Sequence, residues 1–255
     1  MERPHYTARL ARKVLLSEPG ACFHLEFTVE ELEQFDFQPG QFVSFVALDD
    51  AGKLQTRAYS IASAPRGNLF DICVNRVEGG FFSNLLCDLE EGDSLRFHGP
   101  HGLFLLRSPL TDSIFIATGT GIAPMRGFVE YLFPEDGEDR SQGRTFWLVY
   151  GTRYETELYY QDYFERVAAS RPNFIYHRTL SRAQESWEGA RGYVQELVNT
   201  IAAEHARTPD LRPVDGAAFA IHAYICGLNE MVAANRDCLK SMGWERKQII
   251  FERYD

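Results

Sequence analysis

Up to about residue 107 the apolar positions alternate with polar ones over short runs rich in β-branched and aromatic residues. Ala21–Val29, Gln41–Leu48, Arg57–Ser63, Leu69–Val77 and Asp93–His98 read as strands, because a period of two puts one face in a core and the other in solvent. Turn chemistry separates them at Glu18-Pro19-Gly20, Gln38-Pro39-Gly40, Asp50-Ala51-Gly52 and Pro65-Arg66-Gly67. Short strands at that spacing predict an antiparallel sandwich or barrel. One helix, roughly Ser83–Asp88, interrupts the series behind Gly79-Gly80. Gly99-Pro100-His101-Gly102 reads as a structural turn at a domain boundary.

After residue 110 the grammar changes. Apolar strands at Ser113–Thr118, Thr145–Tyr150, Phe174–Thr179, Ala218–Cys226 and Gln248–Phe251 alternate with helical patterns at Pro124–Phe133, Glu157–Ser170, Tyr193–His205 and Glu230–Met242. Alternation of this kind predicts a parallel sheet wrapped by helices. Glu135–Gly143 and Arg207–Gly216 read as surface loops. The expected organisation is therefore two domains: an antiparallel β-barrel over 1–107, then an α/β parallel-sheet nucleotide-binding domain over 108–255.

Composition narrows this picture more than it changes it. The chain is 45% hydrophobic and 24% charged over 255 residues, enough for two cores of ordinary size. A net charge of −10 argues against nucleic-acid binding, which needs a basic face. No apolar stretch is long enough to cross a membrane and the first residues lack a signal peptide's apolar run, so a cytoplasmic location is expected. The five cysteines are scattered, with no Cys-x-x-Cys pair, so no metal or iron–sulfur centre is expected. The first thirteen residues hold Arg3, Arg9, Arg12 and Lys13 against Glu2. They read as a solvated edge strand, or as a local docking patch for an acidic partner.

Two motifs carry chemistry. In Arg57-Ala58-Tyr59-Ser60 the arginine and tyrosine share one strand face, so a guanidinium can pair with a diphosphate beside a ring that covers a flat cofactor. Ser60 can hydrogen-bond to a ring nitrogen. Downstream, Gly79-Gly80-Phe81-Phe82-Ser83-Asn84 opens a helix whose free N–H groups suit phosphate, with Ser83 as a candidate N-cap. The second motif, Gly119-Thr120-Gly121-Ile122-Ala123-Pro124, is a glycine turn between strand and helix, where a pyrophosphate can sit. Together they predict a flavin that trades electrons with a nicotinamide. The strand ending Tyr150-Gly151-Thr152-Arg153 has no acid to take ribose hydroxyls, and the next ends Thr179-Leu180-Ser181-Arg182, followed by Arg191 and Tyr193. A hydroxyl and a guanidinium suit a 2′-phosphate, which favours NADP.

These residues resemble the ferredoxin–NADP reductase family over nearly the whole chain. Arg57–Ser63 is similar to its flavin motif, Cys73-Val74-Asn75 and Phe81-Phe82-Ser83 to its two further flavin segments, and Ile116–Pro124 to its nicotinamide-nucleotide turn. Ser181-Arg182 and Tyr193-Val194-Gln195 resemble the family's site for the adenosine phosphate, with Arg191 where a basic residue is usual. Tyr224-Ile225-Cys226-Gly227-Leu228 resembles the segment whose cysteine faces the nicotinamide, and Glu252-Arg253-Tyr254-Asp255 the ending whose aromatic shields the flavin. The turn Val77–Gly80 is shorter than the plant enzymes' adenine-covering loop, and Asp255 follows the terminal aromatic.

The resemblance implies FAD and NADP(H) as cofactors and Ser60, Cys226, Glu252 and Tyr254 as catalytic. It implies that Arg57, Ala58, Tyr59, Ser60, Cys73, Val74, Asn75, Gly80, Phe81, Phe82 and Ser83 bind the flavin. Thr120, Gly121, Ser181, Arg182, Arg191, Tyr193 and Gln195 would bind the nicotinamide nucleotide, with Tyr254 gating access. The implied partner is a separate ferredoxin or flavodoxin, docked through Arg9, Arg12 and Lys13. Two other readings are an NAD(P)H-dependent reductase component of an oxygenase and a flavin-binding regulatory protein without turnover.

Overall fold

Six strands make the first sheet of the computed structural model, which describes residues 4–18, 21–206 and 216–254. They are β1 (Tyr6–Ser17), β2 (Cys22–Val29), β3 (Phe42–Leu48), β4 (Leu54–Ser60), β5 (Leu69–Asn75) and β6 (Ser94–His101), with helix α1 (Phe81–Asp88) between the last two. The spatial order is β4-β3-β6-β1-β2-β5, all antiparallel. A bridge between Ile61 and Ile72 and an Ala62 N–H to Asp71 carbonyl bond of 2.7 Å join the two ends. At that point the sheet closes into the expected barrel. Its inside is aromatic: Phe27, Phe35, Phe45, Phe70 and Phe97 are all at most 2% exposed, and Phe70 and Phe97 have ring centres 5.2 Å apart.

The N-terminal run is not an edge strand. β1 is paired on both sides, with β2 and β6, and buries Ala8 and Leu10 in the core. Its arginines misdirect the sequence reading because alternate positions of a closed barrel still face solvent. Gly99-Pro100-His101 also proves to be strand, since β6 runs to His101 and pairs it with Phe42 across an irregularity in register. A Cβ at Gly99 would lie 3.3 Å from the Phe42 carbonyl, so glycine is what lets the strand continue there.

The second sheet comprises β7 (Asp112–Thr118), β8 (Phe146–Thr152), β9 (Phe174–Leu180), β10 (Ala190–Arg191), β11 (Ile221–Leu228) and β12 (Ile249–Tyr254). Helices α2 (Ile122–Leu132), α3 (Gln161–Ser170), α4 (Val194–Ala206) and α5 (Asn229–Ser241) connect them. All strands are parallel, in the order β10-β9-β8-β7-β11-β12. Ile114 to Ala117 are each 0% exposed, as expected for a strand covered on both faces. The order reverses between β7 and β11, and such a switch point is where open α/β sheets bind ligands. β10, two residues long, is too short to leave a periodic signal and is absent from the sequence reading.

The chain divides into two compact units, Met1–Leu105 with Arg126–Tyr131, and Leu106–Met125 with Leu132–Asp255. The middle of α2 thus groups with the barrel.

Candidate cofactor sites

β4 pairs Arg57 with Phe45 and Tyr59 with Val43 of β3. Burial rises along the motif: Arg57 and Ala58 are exposed, Tyr59 half-buried and Ser60 buried. Tyr59 stands edge-on to Phe45, ring centres 6.0 Å apart. Burial pushes its phenol above the ordinary range, so at neutral pH it is an uncharged ring. On β5, Cys73 and Val74 are buried, and Asn75 pairs with Cys22 of β2. Asn75 Oδ1 is buried with no hydrogen-bond partner among the described residues. A buried acceptor of that kind calls for a donor from outside.

Helix α1 starts two residues earlier than the sequence pattern predicts. Gly80 is its N-cap, and Ser83 does not cap it; the Ser83 hydroxyl instead accepts from the Val77 N–H at 3.1 Å and points at the Gly80 carbonyl, 3.3 Å away. The left-handed Gly79 (φ +70°) allows the early turn. A Cβ on Gly80 would meet the Ser83 hydroxyl at 2.5 Å. With the cap made by glycine, the opening N–H groups at Phe81 and Phe82 carry no side-chain acceptor, which suits an anion.

In the second unit Gly119–Gly121 forms a single 3-10 turn leading into α2, with Pro124 inside the helix's first turn. The Tyr150 hydroxyl fixes it by donating to the Gly119 carbonyl at 3.0 Å. The turn lies on the end of β11: a Cβ on Gly121 would stand 2.2 Å from the Cys226 carbonyl. On Gly227 it would stand 2.5 Å from the Thr118 hydroxyl. Thr120 is half-buried on the turn itself. Glycine turn and thiol segment therefore converge at the switch point between β7 and β11.

Cys226 is fully buried and pairs with Glu252 of β12. Burial, then the Glu252 carboxylate, raise its thiol pKa, and it hydrogen-bonds to Tyr254. Such a thiol packs and does not attack. Tyr254 is half-buried two residues further along β12. The structure thus brings Cys226, Glu252 and Tyr254 together; Asp255 lies outside the described residues.

At the ends of β8 and β9, the Ser181 and Arg182 N–H groups donate to the Thr152 and Arg153 carbonyls, each at 3.0 Å. Arg182 hydrogen-bonds to Tyr154 and feels Tyr193, whose ring is exposed. Arg191 has a different occupation: its guanidinium donates to the carbonyls of Ala183, Gln184, Glu185 and Trp187 at 2.8–3.3 Å. It holds the loop after Arg182 in shape. Gln195 Oε1, near the start of α4, is buried without a hydrogen-bond partner among the described residues.

Tyr154 is a residue that the sequence reading missed, although it follows Arg153 at the strand end already singled out. Asp71 and Arg126 were missed too, since each looks ordinary in its own element. The expected docking patch changes character. Arg9 pairs with Glu30 at 2.7 Å and Arg12 with Glu26 at 3.1 Å, while Lys13 donates to the carbonyls of Cys87 and Leu89. Arg9 and Arg12 are each paired with a glutamate and Lys13 is turned onto backbone carbonyls, so the three side chains are engaged within the chain; Glu2 and Arg3 lie outside the described residues. Among the described residues no His, Cys, Asp or Glu cluster is arranged to hold a metal ion, and no helix is long and apolar enough to cross a membrane.

The lining groups fit the two cofactors. Asn75 and Gln195 offer unsatisfied acceptors, α1 an open glycine-capped N-terminus, and Gly121 a backbone with no room for a side chain. A barrel with this flavin motif, followed by a parallel sheet with a glycine turn at its switch point, defines a two-domain flavin- and nicotinamide-dependent oxidoreductase. Family models agree: residues 7–105 match an oxidoreductase FAD-binding domain and residues 115–237 an oxidoreductase NAD-binding domain. Ferredoxin–NADP reductase B of Sorangium cellulosum is 40% identical over 238 residues, 91% of either chain. The ferredoxin–NADP reductase of Synechocystis is 32% identical over 248 residues, 89% of this chain and 58% of its own. The chain belongs to the ferredoxin–NADP reductase family of FAD-dependent oxidoreductases, with FAD and NADP(H) as its cofactors. A solved Neisseria gonorrhoeae ferredoxin–NADP reductase with bound FAD and NADP shares the fold, at a TM-score of 0.78 and 24% identity, each chain 99% covered.

Proposed function

We propose that the protein passes a hydride between NADP(H) and FAD and exchanges single electrons with a separate ferredoxin or flavodoxin, in the cytoplasm. FAD, when bound, supplies the ring that takes electrons in pairs or singly. The chain binds and orients. Arg57 and the N–H groups behind Gly80 hold the diphosphate, Tyr59 covers the ring, and the Ser60 hydroxyl hydrogen-bonds at its N5. Ala58 and the segments Cys73–Asn75 and Phe81–Ser83 line the rest, with Asn75 accepting a hydrogen bond. Thr120 and Gly121 receive the nicotinamide diphosphate. Ser181 and Arg182 receive the 2′-phosphate between the phenols of Tyr154 and Tyr193; Gln195 accepts from the same nucleotide and Arg191 keeps the loop in place. Cys226, held as an uncharged thiol, packs at the nicotinamide, and Glu252 and Tyr254 complete that wall and exclude water.

The observation that carries this reading is the convergence of the glycine turn on Cys226–Gly227, with Glu252 and Tyr254 on the next strand. Mixing the holoprotein with NADPH without oxygen tests it. The yellow colour should bleach and return on adding oxidised ferredoxin or flavodoxin. A flavin that stays oxidised in NADPH sinks the enzyme reading, and a reduced flavin that neither carrier reoxidises sinks the partner.

A further inference from the structure

Asp71, on β5, is 0% exposed, and a carboxylate there is costly unless its lone pairs are used. They are used. Oδ1 accepts from Arg66 at 2.6 Å and Oδ2 from Arg126 at 3.2 Å, with His24 Nε2 3.6 Å away. The Asp71 N–H donates to the Ser63 hydroxyl at 3.1 Å, and its carbonyl takes the Ala62 N–H. Arg126, on α2, donates from one nitrogen to the Ala62 carbonyl and to Glu130. Glu130 in turn accepts the Ala64 N–H at 3.2 Å. Gly127 lies against the same stretch, since a Cβ there would be 3.0 Å from the Ser63 carbonyl.

The residues so tied, Ala62, Ser63 and Ala64, come almost directly after Ser60. A buried ion network is weak evidence for stability, because apolar residues of similar volume often serve as well. What this one adds is a single geometry for a segment that has left the sheet. One Arg126 nitrogen meets the Asp71 carboxylate, the Ala62 carbonyl and Glu130 together, at a reach that a lysine's shorter stem does not match.

We propose that Asp71 and Arg126 are positioning residues for hydride transfer: by fixing the backbone of Ala62–Ala64 they set where the Ser60 hydroxyl stands. This rests on the reading that Ser60 hydrogen-bonds to the flavin. Single-turnover reduction of the FAD-loaded protein by NADPH tests it in Asp71→Asn, Arg126→Lys, Ser60→Ala and the Asp71→Asn/Ser60→Ala double variant. Asp71→Asn should slow the limiting rate about tenfold, a modest part of what an ångström's misplacement can cost. Half-saturating NADPH should stay within about twofold, as expected where ground-state binding is untouched, and the flavin's visible spectrum should shift. In the Ser60→Ala background the same change should add less than about twofold, because the two residues act as one unit. Arg126→Lys should repeat the pattern, and decides the matter if Asp71→Asn does not retain FAD. Full additivity with Ser60→Ala, or unchanged rates in both Asp71→Asn and Arg126→Lys, overturns the proposal and leaves the role of Ser60 standing. A normal rate in Ser60→Ala overturns the role of Ser60 and the proposal with it.

Discussion

Gly121 leaves no room for a side chain: its missing Cβ would overlap the Cys226 carbonyl at 2.2 Å. Gly121→Ala should therefore push the turn away from β11, lowering thermal stability by about 1–3 kcal/mol, the usual cost of overpacking. It should also weaken NADP⁺ binding in a flavin difference-spectrum titration. Arg182 makes a different prediction. If its guanidinium takes the 2′-phosphate, Arg182→Gln should raise half-saturating NADPH by about tenfold or more and leave NADH unchanged, as for loss of a charge-assisted contact. The thiols supply a third check. Cys226 is buried with a raised pKa, and of the five cysteines Cys238 alone is partly exposed, so iodoacetamide should label Cys238 first in native protein. The position of Arg182 just past a strand end was readable from sequence because strand ends follow from hydrophobic period. Tyr154 was not, since a phenol's value at that point depends on where the next strand ends. Asp71 reads as one more polar residue in an alternating strand, and its burial appears only when Arg66 and Arg126 arrive from elsewhere.

At the scale of elements, Lys13 closes the end of a helix it is far from in sequence. Its ammonium donates to the Cys87 and Leu89 carbonyls at 2.6 and 2.9 Å and lies over the Phe23 ring, 4.7 Å from its centre. A cation satisfying the last carbonyls of α1 also meets the negative end of its dipole. Lys13→Met, which keeps the stem and removes the charge, should cost about 1–2 kcal/mol in urea unfolding. No loss would mean that water replaces the ammonium without penalty. The strands and helices themselves were legible wherever their period was sustained. The misjudged parts were the ends and neighbours of elements: β1 read as an edge, Gly99–His101 read as a turn, and α1 begun at Ser83 instead of Phe81. Each depends on contacts with a distant strand or on a glycine's φ, which local pattern does not encode.

The whole molecule responds to acid through histidines that fold uncharged. Burial, then Arg107, lower His222 from 6.5 to about 4, and burial, then Arg126, lower His24 in the same direction. Because the folded pKa lies below the unfolded one, protons bind the unfolded chain more readily. Stability is therefore full above pH 6.5 and falls as pH drops toward about 4. Melting temperatures measured from pH 7 to pH 4 should fall, and His222→Gln should flatten part of the slope. The order of two folds along the chain was visible in sequence; the ion network around Asp71 belongs to the assembled fold alone. The central claim, that electrons pass between NADP(H) and a flavin in this chain, is tested most directly by anaerobic stopped-flow reduction with NADPH and NADH in parallel. Rapid bleaching by NADPH, with NADH much slower at equal concentration, is the expected result. A flavin that neither nucleotide reduces, or that NADH reduces faster, would contradict it.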